Sequence, residues 1–268
     1  LLHAIMEWHH LQNQEYQIKF RILETFKEFQ LSITFLTILP FGRIKEPLPS
    51  MENACWAFPL CGAFIGSLTY CVLVLTSITN LSITLSAILT IVTGIIITGG
   101  LHEDGLADSA DGILGGNNIN SRLKIMKDSR IGTFGLLTVL FFILIRIDLL
   151  TYYPISFYGF MGFIAISAIS RLGMVSILFF LEPAKLSGLG NSSNVSNTFM
   201  YGLTCFLTLP FFVPMFKVGI FMIMIFIITL IIIIIFAKRK INGHTGDLCG
   251  ATQQITETLC SFIFVINL

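Results

Sequence analysis

The chain has 268 residues, of which 54% are hydrophobic and only 12% are charged, and its mean hydropathy is +0.85. A soluble domain carries roughly twice this charged fraction, so the composition excludes an ordinary soluble protein and indicates an integral membrane protein. The formal net charge of +1 gives no reason to expect a nucleic acid partner. The six cysteines contain no CxxC pair, so we predict neither a zinc site nor a disulfide framework.

Apolar segments follow a polar N-terminal arm, which we place at residues 1–28. A membrane span needs about 20 apolar residues, and residues 29–268 contain enough such segments to form one membrane-embedded domain. The predicted fold is an all-α, polytopic helical bundle with seven spans, or six if the last segment is re-entrant or interfacial. The predicted spans are two within 56–101, divided by a turn near Asn80, and one each at 132–151, 156–181, 199–216, 218–237 and 251–268.

The basic residues predict the orientation of the chain. Lysine and arginine concentrate in the N-terminal segment and in the loops 102–131 and 238–250, whereas the turns near 80 and 152–155 contain none. Positive residues favour the cytoplasmic side of a membrane. We therefore expect a multi-pass protein of the cell membrane whose N terminus and polar loops face the cytoplasm.

Residues 99–112, which read GGLHEDGLADSADG, concentrate acidic side chains directly after an uncharged segment of the chain. Four of the 15 acidic residues of the chain lie here, namely Glu103, Asp104, Asp108 and Asp111. If the segment is helical, the three aspartates stand at i, i+4 and i+7 and share one face. Like charges so arranged call for a bound cation, and oxygen ligands of this kind suit Mg²⁺. The alternative is a solvated acidic helix start favoured by the helix dipole.

His102 precedes these carboxylates and has three possible roles: a metal ligand, a base, or a polar residue at a helix end. Three further charged residues fall inside predicted spans: Arg146 and Asp148 in one, and Arg171 in the next. Charged groups are costly in lipid and usually face the protein interior. We expect them to pair with groups on other spans or to lie near an interface.

A basic segment, residues 122–135, follows the acidic one and reads RLKIMKDSRIGTFG. Lys124, Lys127 and Arg130 are spaced by three residues, and their charges suit phosphate oxygens. Asp128 could complete a metal site or pair with Arg130. The segment could also be only a positive anchor at the cytoplasmic face. A metal site beside a phosphate site is the combination that phosphoryl transfer requires.

A third polar segment, residues 243–254, precedes the last predicted span and reads GHTGDLCGATQQ. Thr245, Gly246 and Asp247 lie where a glycine-rich loop enters a helix, an arrangement that can hold phosphate on backbone amides. A flexible turn between spans would explain the same residues equally well.

Together these segments resemble the cobalamin synthase family, the adenosylcobinamide-GDP ribazoletransferases. The resemblance runs from about residue 30 to the end of the chain. Its main carriers are GGLHEDGLADSADG at 99–112, IMKDSRIGTFG at 125–135 and GHTGDLCGATQQITE at 243–257, supported by FLTILP at 35–40, WAFPLCG at 56–62 and GLG at 188–190. One departure is the segment 182–187, where an arginine-rich approach is expected and only Lys185 is found.

The resemblance implies a reaction in which the adenosylcobinamide phosphate group passes from adenosylcobinamide-GDP to α-ribazole or its 5′-phosphate, and GMP is released. It implies that Asp104, Asp108 and Asp111 hold Mg²⁺, with Glu103, Asp247 or Asp128 as further metal candidates. Lys124, Lys127, Arg130, Thr245 and Gly246 are the candidate phosphate-binding residues. His102 or one carboxylate would serve as base. A homo-oligomer, or a complex with other cobalamin-pathway enzymes, would be compatible with this role.

Two alternatives stay open at this point. A CDP-alcohol phosphotransferase runs a similar displacement on a lipid substrate, and the spacing D-x-x-D-G at 108–112 fits the start of its signature, but the later aspartate pair is absent. An ion-coupled transporter could also place acids in a membrane domain. We find no internal repeat of the kind such transporters often contain.

Overall fold

A computed structural model describes residues 21–184 and 195–268, and this part of the chain contains helices joined by short connections, with one isolated β-bridge and no strand. The helices are α1 (21–36), α2 (Met51–Ala54), α3 (Phe58–Ser77), α4 (Ile83–Thr98), α5 (Leu101–Gly115), α6 (Ile119–Ile125), α7 (Thr133–Thr151), α8 (Phe157–Phe180), α9 (Thr198–Thr208), α10 (Phe216–Lys240) and α11 (Gly246–Ile266). Short 3₁₀ segments, Cys55–Ala57 and Leu209–Met215, precede α3 and α10. The predicted all-α fold is confirmed.

Four helical stretches of the described residues are long and apolar enough to cross a membrane, and a fifth arises if the bent pair α4 and α5 counts as one span. The four are Met51–Ser77, Thr133–Thr151, Phe157–Phe180 and Thr198–Lys240. This criterion of length and composition thus gives four or five spans among the described residues, where six or seven were predicted for the chain. The criterion counts residues 198–240 as one stretch of 43 residues, where two spans were predicted, although a 3₁₀ segment separates α9 from α10 within it. The predicted last span, 251–268, belongs to the longer α11, whose polar residues interrupt its apolar character.

Helix α8 is the centre of the bundle, since 83% of its most apolar window is buried, against 17% for α7. Small residues let α3 approach it closely. A Cβ on Gly62 would overlap the backbone carbonyl of Ser167, and a Cβ on Gly66 would lie 2.6 Å from the Ser167 hydroxyl. Such glycine contacts are typical of helices that pack inside membranes. Helix α8 also packs against α11, which carries the third polar segment.

A pair of glycines separates α4 from α5. Gly99 and Gly100 have φ angles of 64° and 71°, in the left-handed region that glycine adopts without steric cost. The chain bends here by 89°. A Cβ on Gly99 would also lie 2.8 Å from the Ile38 side chain, so the turn is packed as well as bent. The acidic segment therefore forms a separate helix rather than the end of a span.

The predicted N-terminal arm is described only in part. Residues 1–20 lie outside the described residues, and residues 21–28 form the beginning of α1. The domain boundary at residue 28 stays a prediction. The position Lys185 and the GLG segment at 188–190 also lie outside the described residues.

Candidate active site

The candidate site is built on a backbone contact between α5 and α11. A Cβ on Gly105 would lie 2.8 Å from the carbonyl oxygen of Asp247, and a Cβ on Gly250 would lie 3.3 Å from the Cα atoms of both Gly105 and His102. Only glycine permits this approach. The contact brings the acidic face of α5 next to the first turn of α11, and so joins two segments that are far apart in the sequence.

Three carboxylates meet at this contact: Asp104 is exposed, whereas Asp108 and Asp247 are half-buried. Asp108 is repelled by Asp104 and Asp247, and none of the three forms an ion pair within 4 Å among the described residues. Burial raises the pKa of Asp247, and the charge of Asp104 adds to this rise, while a hydrogen bond with Thr245 and the charge of Lys127 oppose it. We call Asp104, Asp108 and Asp247 the acidic cluster.

Asp111 has a different role from the one predicted. Its side chain is buried and accepts hydrogen bonds from two backbone amides at the start of α7: Gly132 N at 2.7 Å and Gly135 N at 2.8 Å. A Cβ on either Gly132 or Gly135 would overlap the Asp111 carboxylate, which explains both glycines. Both carboxylate oxygens of Asp111 accept hydrogen bonds from the start of α7. We therefore retain Asp104 and Asp108 as candidate metal ligands, and not Asp111.

His102 and Glu103 do not join the acidic cluster. His102 is 1% exposed and lies on the opposite side of α5 from Asp104, and neither of its ring nitrogens has a partner among the described residues. Glu103 accepts a 2.8 Å hydrogen bond from Gln254 Nε2 and lies 3.9 Å from Arg146 Nη1. The prediction that these two residues act beside the aspartates is therefore not supported by their positions.

A buried charged network lies behind α5. Glu257 on α11 accepts from Arg146 Nη2 at 2.5 Å and from Arg171 Nη1 at 2.8 Å, and Arg146 Nη1 also donates to Gln254 Oε1 at 2.8 Å. Both arginines were expected to face the interior, and they do, whereas Asp148 is exposed. Glu257 was not among the site residues predicted from the sequence. The available signal was its position as a carboxylate within the predicted span 251–268, where a charge requires a partner.

The basic segment forms α6 and the loop before α7. Lys124, Lys127 and Arg130 are all exposed. Arg130 Nη2 donates to Asp128 Oδ2 at 2.8 Å, and this hydrogen bond is the main reason why the pKa of Asp128 falls to about 2. Of the two roles predicted for Asp128, the structure contains the pair with Arg130. Lys127 lies close enough to the acidic cluster to lower the pKa of Asp247.

The third polar segment caps α11. Thr245 Oγ1 accepts from Leu248 N at 3.1 Å, while Gly246 is exposed with open space beside its Cα. His244 exchanges backbone hydrogen bonds of 2.9 Å with the strand-like segment at Glu182 and Ala184. The predicted phosphate-binding residues Thr245 and Gly246 thus lie directly before Asp247 of the acidic cluster.

Comparison with known proteins identifies the family. The model of the cobalamin-5-phosphate synthase family matches residues 28–265. The chain belongs to this family. It is similar to the adenosylcobinamide-GDP ribazoletransferase of Bradyrhizobium diazoefficiens, with 32% identity over 237 residues that cover 86% of this chain and 90% of the relative. The protein of the same name from Shewanella woodyi is 32% identical over 249 residues, covering 86% and 94%. No solved structure matches the chain.

The cobalamin-5-phosphate synthase match covers all three polar segments and the helices that carry them. It confirms the family resemblance, and it does not favour a CDP-alcohol phosphotransferase or a transporter. The match begins at residue 28, within α1, and therefore includes the α4–α5 bend, the Gly105–Gly250 contact and the buried network around Glu257.

Whether this site fits a divalent cation depends on the side chains that it offers as metal ligands. Among residues 21–184 and 195–268, no three His, Cys, Asp or Glu side chains are grouped closely enough to hold a metal ion by themselves. Mg²⁺ is commonly bound by one or two carboxylates together with phosphate oxygens of the substrate. The acidic cluster offers carboxylates that lack a cationic partner within 4 Å in the described structure. These residues therefore fit a metal that is shared with a substrate diphosphate.

Proposed function

We propose that this chain is an adenosylcobinamide-GDP ribazoletransferase of the cell membrane, which joins activated cobinamide to α-ribazole or its 5′-phosphate. The observation that carries the proposal is the Gly105–Gly250 contact, which brings Asp247 of α11 beside the acidic face of α5. The family and the printed names of its relatives support the identity of the substrates.

The proposed reaction is a displacement at phosphorus. A hydroxyl oxygen of the ribazole forms a bond to the phosphorus on the cobinamide side of the diphosphate. The bond between that phosphorus and the bridging oxygen breaks, and GMP leaves with the electron pair. The hydroxyl proton passes to a base, for which a carboxylate of the acidic cluster is better placed than His102, since His102 is buried on the other side of α5.

Different side chains would stabilise different charges of the substrate. One or two of the carboxylates of Asp104, Asp108 and Asp247 would hold Mg²⁺ together with phosphate oxygens of the substrate, and the ion would supply charge that neutralises the diphosphate. Lys127 would stabilise the charge that passes to GMP, with Lys124 and Arg130 as further phosphate contacts from the same exposed segment. The backbone amides beside Gly246, at the start of α11, also favour an anion, because unpaired N–H groups at the start of a helix point towards it.

The orientation proposed for the chain places this site in the cytoplasm. Arg122 Nη1 donates to the carbonyl oxygen of Lys240 at 3.1 Å, so the basic end of α10 lies beside α6. Two of the three basic loops are thus neighbours, as a shared cytoplasmic face requires. A homo-oligomer or a complex with other enzymes of the pathway remains a further prediction.

The test is GMP release by the purified protein in detergent or liposomes, given adenosylcobinamide-GDP and α-ribazole, with and without Mg²⁺. We expect release only when both substrates and Mg²⁺ are present. Release without the ribazole would indicate hydrolysis, and no release by folded protein with either ribazole form would contradict the proposal. Replacing Mg²⁺ by EDTA tests the metal separately from the substrates.

A further inference from the structure

The buried network around Glu257 is not part of the proposed chemistry. Glu257 contacts an arginine from each of two other helices, Arg146 on α7 and Arg171 on α8, and one carboxylate oxygen faces each arginine. The side chain of Arg171 is 3% exposed and those of Arg146 and Glu257 are 16% and 14% exposed. Three helices are therefore joined at one carboxylate, in a region where an unpaired charge is costly.

The network reaches α5 through Glu103. Arg146 donates to Gln254 Oε1, and Gln254 Nε2 donates to Glu103 Oε1, each at 2.8 Å. Arg146 also lies 3.9 Å from Glu103 Oε1. The chain of contacts thus runs from Glu257 through Arg146 and Gln254 to the residue that directly precedes Asp104 of the acidic cluster.

A polar cavity of about 50 Å³ lies between these side chains and the inner side of α5. Glu103 Oε2, Gln253 Oε1 and both ring nitrogens of His102 are buried there without a partner among the described residues. A water molecule needs roughly 10–15 Å³ of such space and two to four polar partners, so the cavity is large enough for a few. The inner side of α5 therefore rests on polar groups that could rearrange if the network were broken.

The charges of the network balance, because two arginines face two glutamates. Loss of the Glu257 charge would leave Arg146 and Arg171 with Glu103 as the remaining carboxylate partner. Arg146 would then be drawn from Glu257 towards Glu103, which changes the side-chain link between α11 and α5, while the backbone contact at Gly105 and Gly250 stays in place. The position of Asp104 depends on the orientation of α5.

We propose that Glu257 is a positioning residue: by holding Arg146 and Arg171 it fixes α5, through Gln254 and Glu103, in the orientation that presents Asp104 to the metal and the diphosphate. This inference rests on the proposed function for its chemical consequence. It does not depend on that function for the structural connection between Glu257 and α5.

The experiment compares Glu257→Gln with wild-type protein and with Asp148→Asn, which removes an exposed carboxylate from α7 outside the network. Mn²⁺ is the probe, and its binding is followed by electron paramagnetic resonance. Residues that orient metal ligands typically change metal affinity by about 10–100-fold, so we expect Glu257→Gln to weaken Mn²⁺ binding about tenfold or more. Asp148→Asn should bind Mn²⁺ as wild type does, and Glu257→Asp should recover part of the affinity.

Hydrogen exchange of α5 gives a second measurement that needs no metal. Glu257→Gln should speed amide exchange in α5 more than in α9, none of whose described side chains hydrogen-bonds to a residue of the network. Unchanged exchange in α5, or unchanged Mn²⁺ affinity beside normal wild-type binding, would overturn the proposal. If Glu257→Gln does not fold, Gln254→Leu removes the hydrogen-bonded link to Glu103 while leaving both arginines paired with Glu257 and the 3.9 Å contact of Arg146 with Glu103 in place. Exchange in α5 and Mn²⁺ affinity are then read in the same way.

The two proposals can fail separately. Faster exchange in α5, together with no Mn²⁺ binding and no GMP release by the wild-type protein, would reject the proposed metal chemistry and keep the link between Glu257 and α5. Normal GMP release by Glu257→Gln, with unchanged Mn²⁺ affinity and unchanged kcat and KM, would reject the positioning role and keep the proposed function.

Discussion

Asp111 Oδ1 accepts a 2.8 Å hydrogen bond from the backbone amide of Gly135, and so joins the end of the acidic helix to the start of α7. The second carboxylate oxygen does the same for Gly132. Amides at the start of a helix have no partner within the helix, and a carboxylate there satisfies them and complements the helix dipole. The three aspartates of α5 therefore separate into two that face the candidate metal site and one that holds the fold.

Asp111→Asn tests this separation. An amide side chain can accept only through its oxygen, so one of the two backbone amides would lose its partner, at a cost of about 1–3 kcal/mol of stability. We expect a lower thermal midpoint in detergent, with the Mg²⁺ concentration for half-maximal activity unchanged in the folded protein. A shifted Mg²⁺ requirement with unaltered stability would return Asp111 to the set of metal ligands.

Asp104→Asn and Asp108→Asn should behave in the opposite way. Neither carboxylate forms an ion pair among the described residues, and removing a charge from a repulsive cluster should not destabilise the fold. We expect GMP release to fall by about 100-fold or more, in line with the loss of an electrostatic contact to the transition state. Thermal unfolding serves as the control for folding. Near-normal turnover in both variants would remove the metal model.

Gly105→Ala tests the contact between α5 and α11. The added methyl group would lie 2.8 Å from the Asp247 carbonyl oxygen, so the helices must separate. Overpacking of this kind typically costs about 1–3 kcal/mol, and we expect a lower thermal midpoint together with reduced GMP release. Gly202→Ala on α9 is the matched control, because no atom lies within 4 Å of its added methyl group. Equal stability of the two variants would contradict the close contact.

Lys127→Met tests the electrostatics of the acidic cluster through the pH dependence of kcat/KM. Burial raises the pKa of Asp247, and the positive charge of Lys127 lowers it. Removing that charge should raise the pKa further, so the loss of activity on the acidic side should begin at a higher pH. Lys124→Met is the control, since Lys124 does not contribute to this pKa. An acidic limb that moves equally in both variants would exclude a specific effect of Lys127.

Much of the fold followed from the sequence because the physical signals were local. Apolar length located α3, α7 and α8, and Gly99 with Gly100 marked the start of the acidic segment. The spacing of Asp104 and Asp108 predicted their shared face. The same spacing placed Asp111 on that face, but periodicity gives a direction around the helix axis and not the neighbour found there. At Asp111, two helical turns after Asp104, the neighbour is the start of α7.

The remaining features depend on pairings between distant parts of the chain. Glu257 lies 86 residues from Arg171 and 111 from Arg146, and no local pattern links them. The approach of Asp247 to Asp108 depends on Gly105 and on its contact with α11. The predicted spans differ from the helices where α4 has only 16 residues and turns, and where α9, a 3₁₀ segment and α10 follow one another without a loop.

The right-angled turn at Gly99 and Gly100 also bears on how the chain enters the membrane during synthesis. At 1.5 Å per residue, the 16 residues of α4 extend about 24 Å, which is less than the roughly 30 Å of a hydrocarbon core. A straight continuation would draw the carboxylates that follow into lipid, where each ionised group opposes insertion. By changing direction before the first acid, the nascent chain can insert α4 while its acidic helix never has to cross the bilayer.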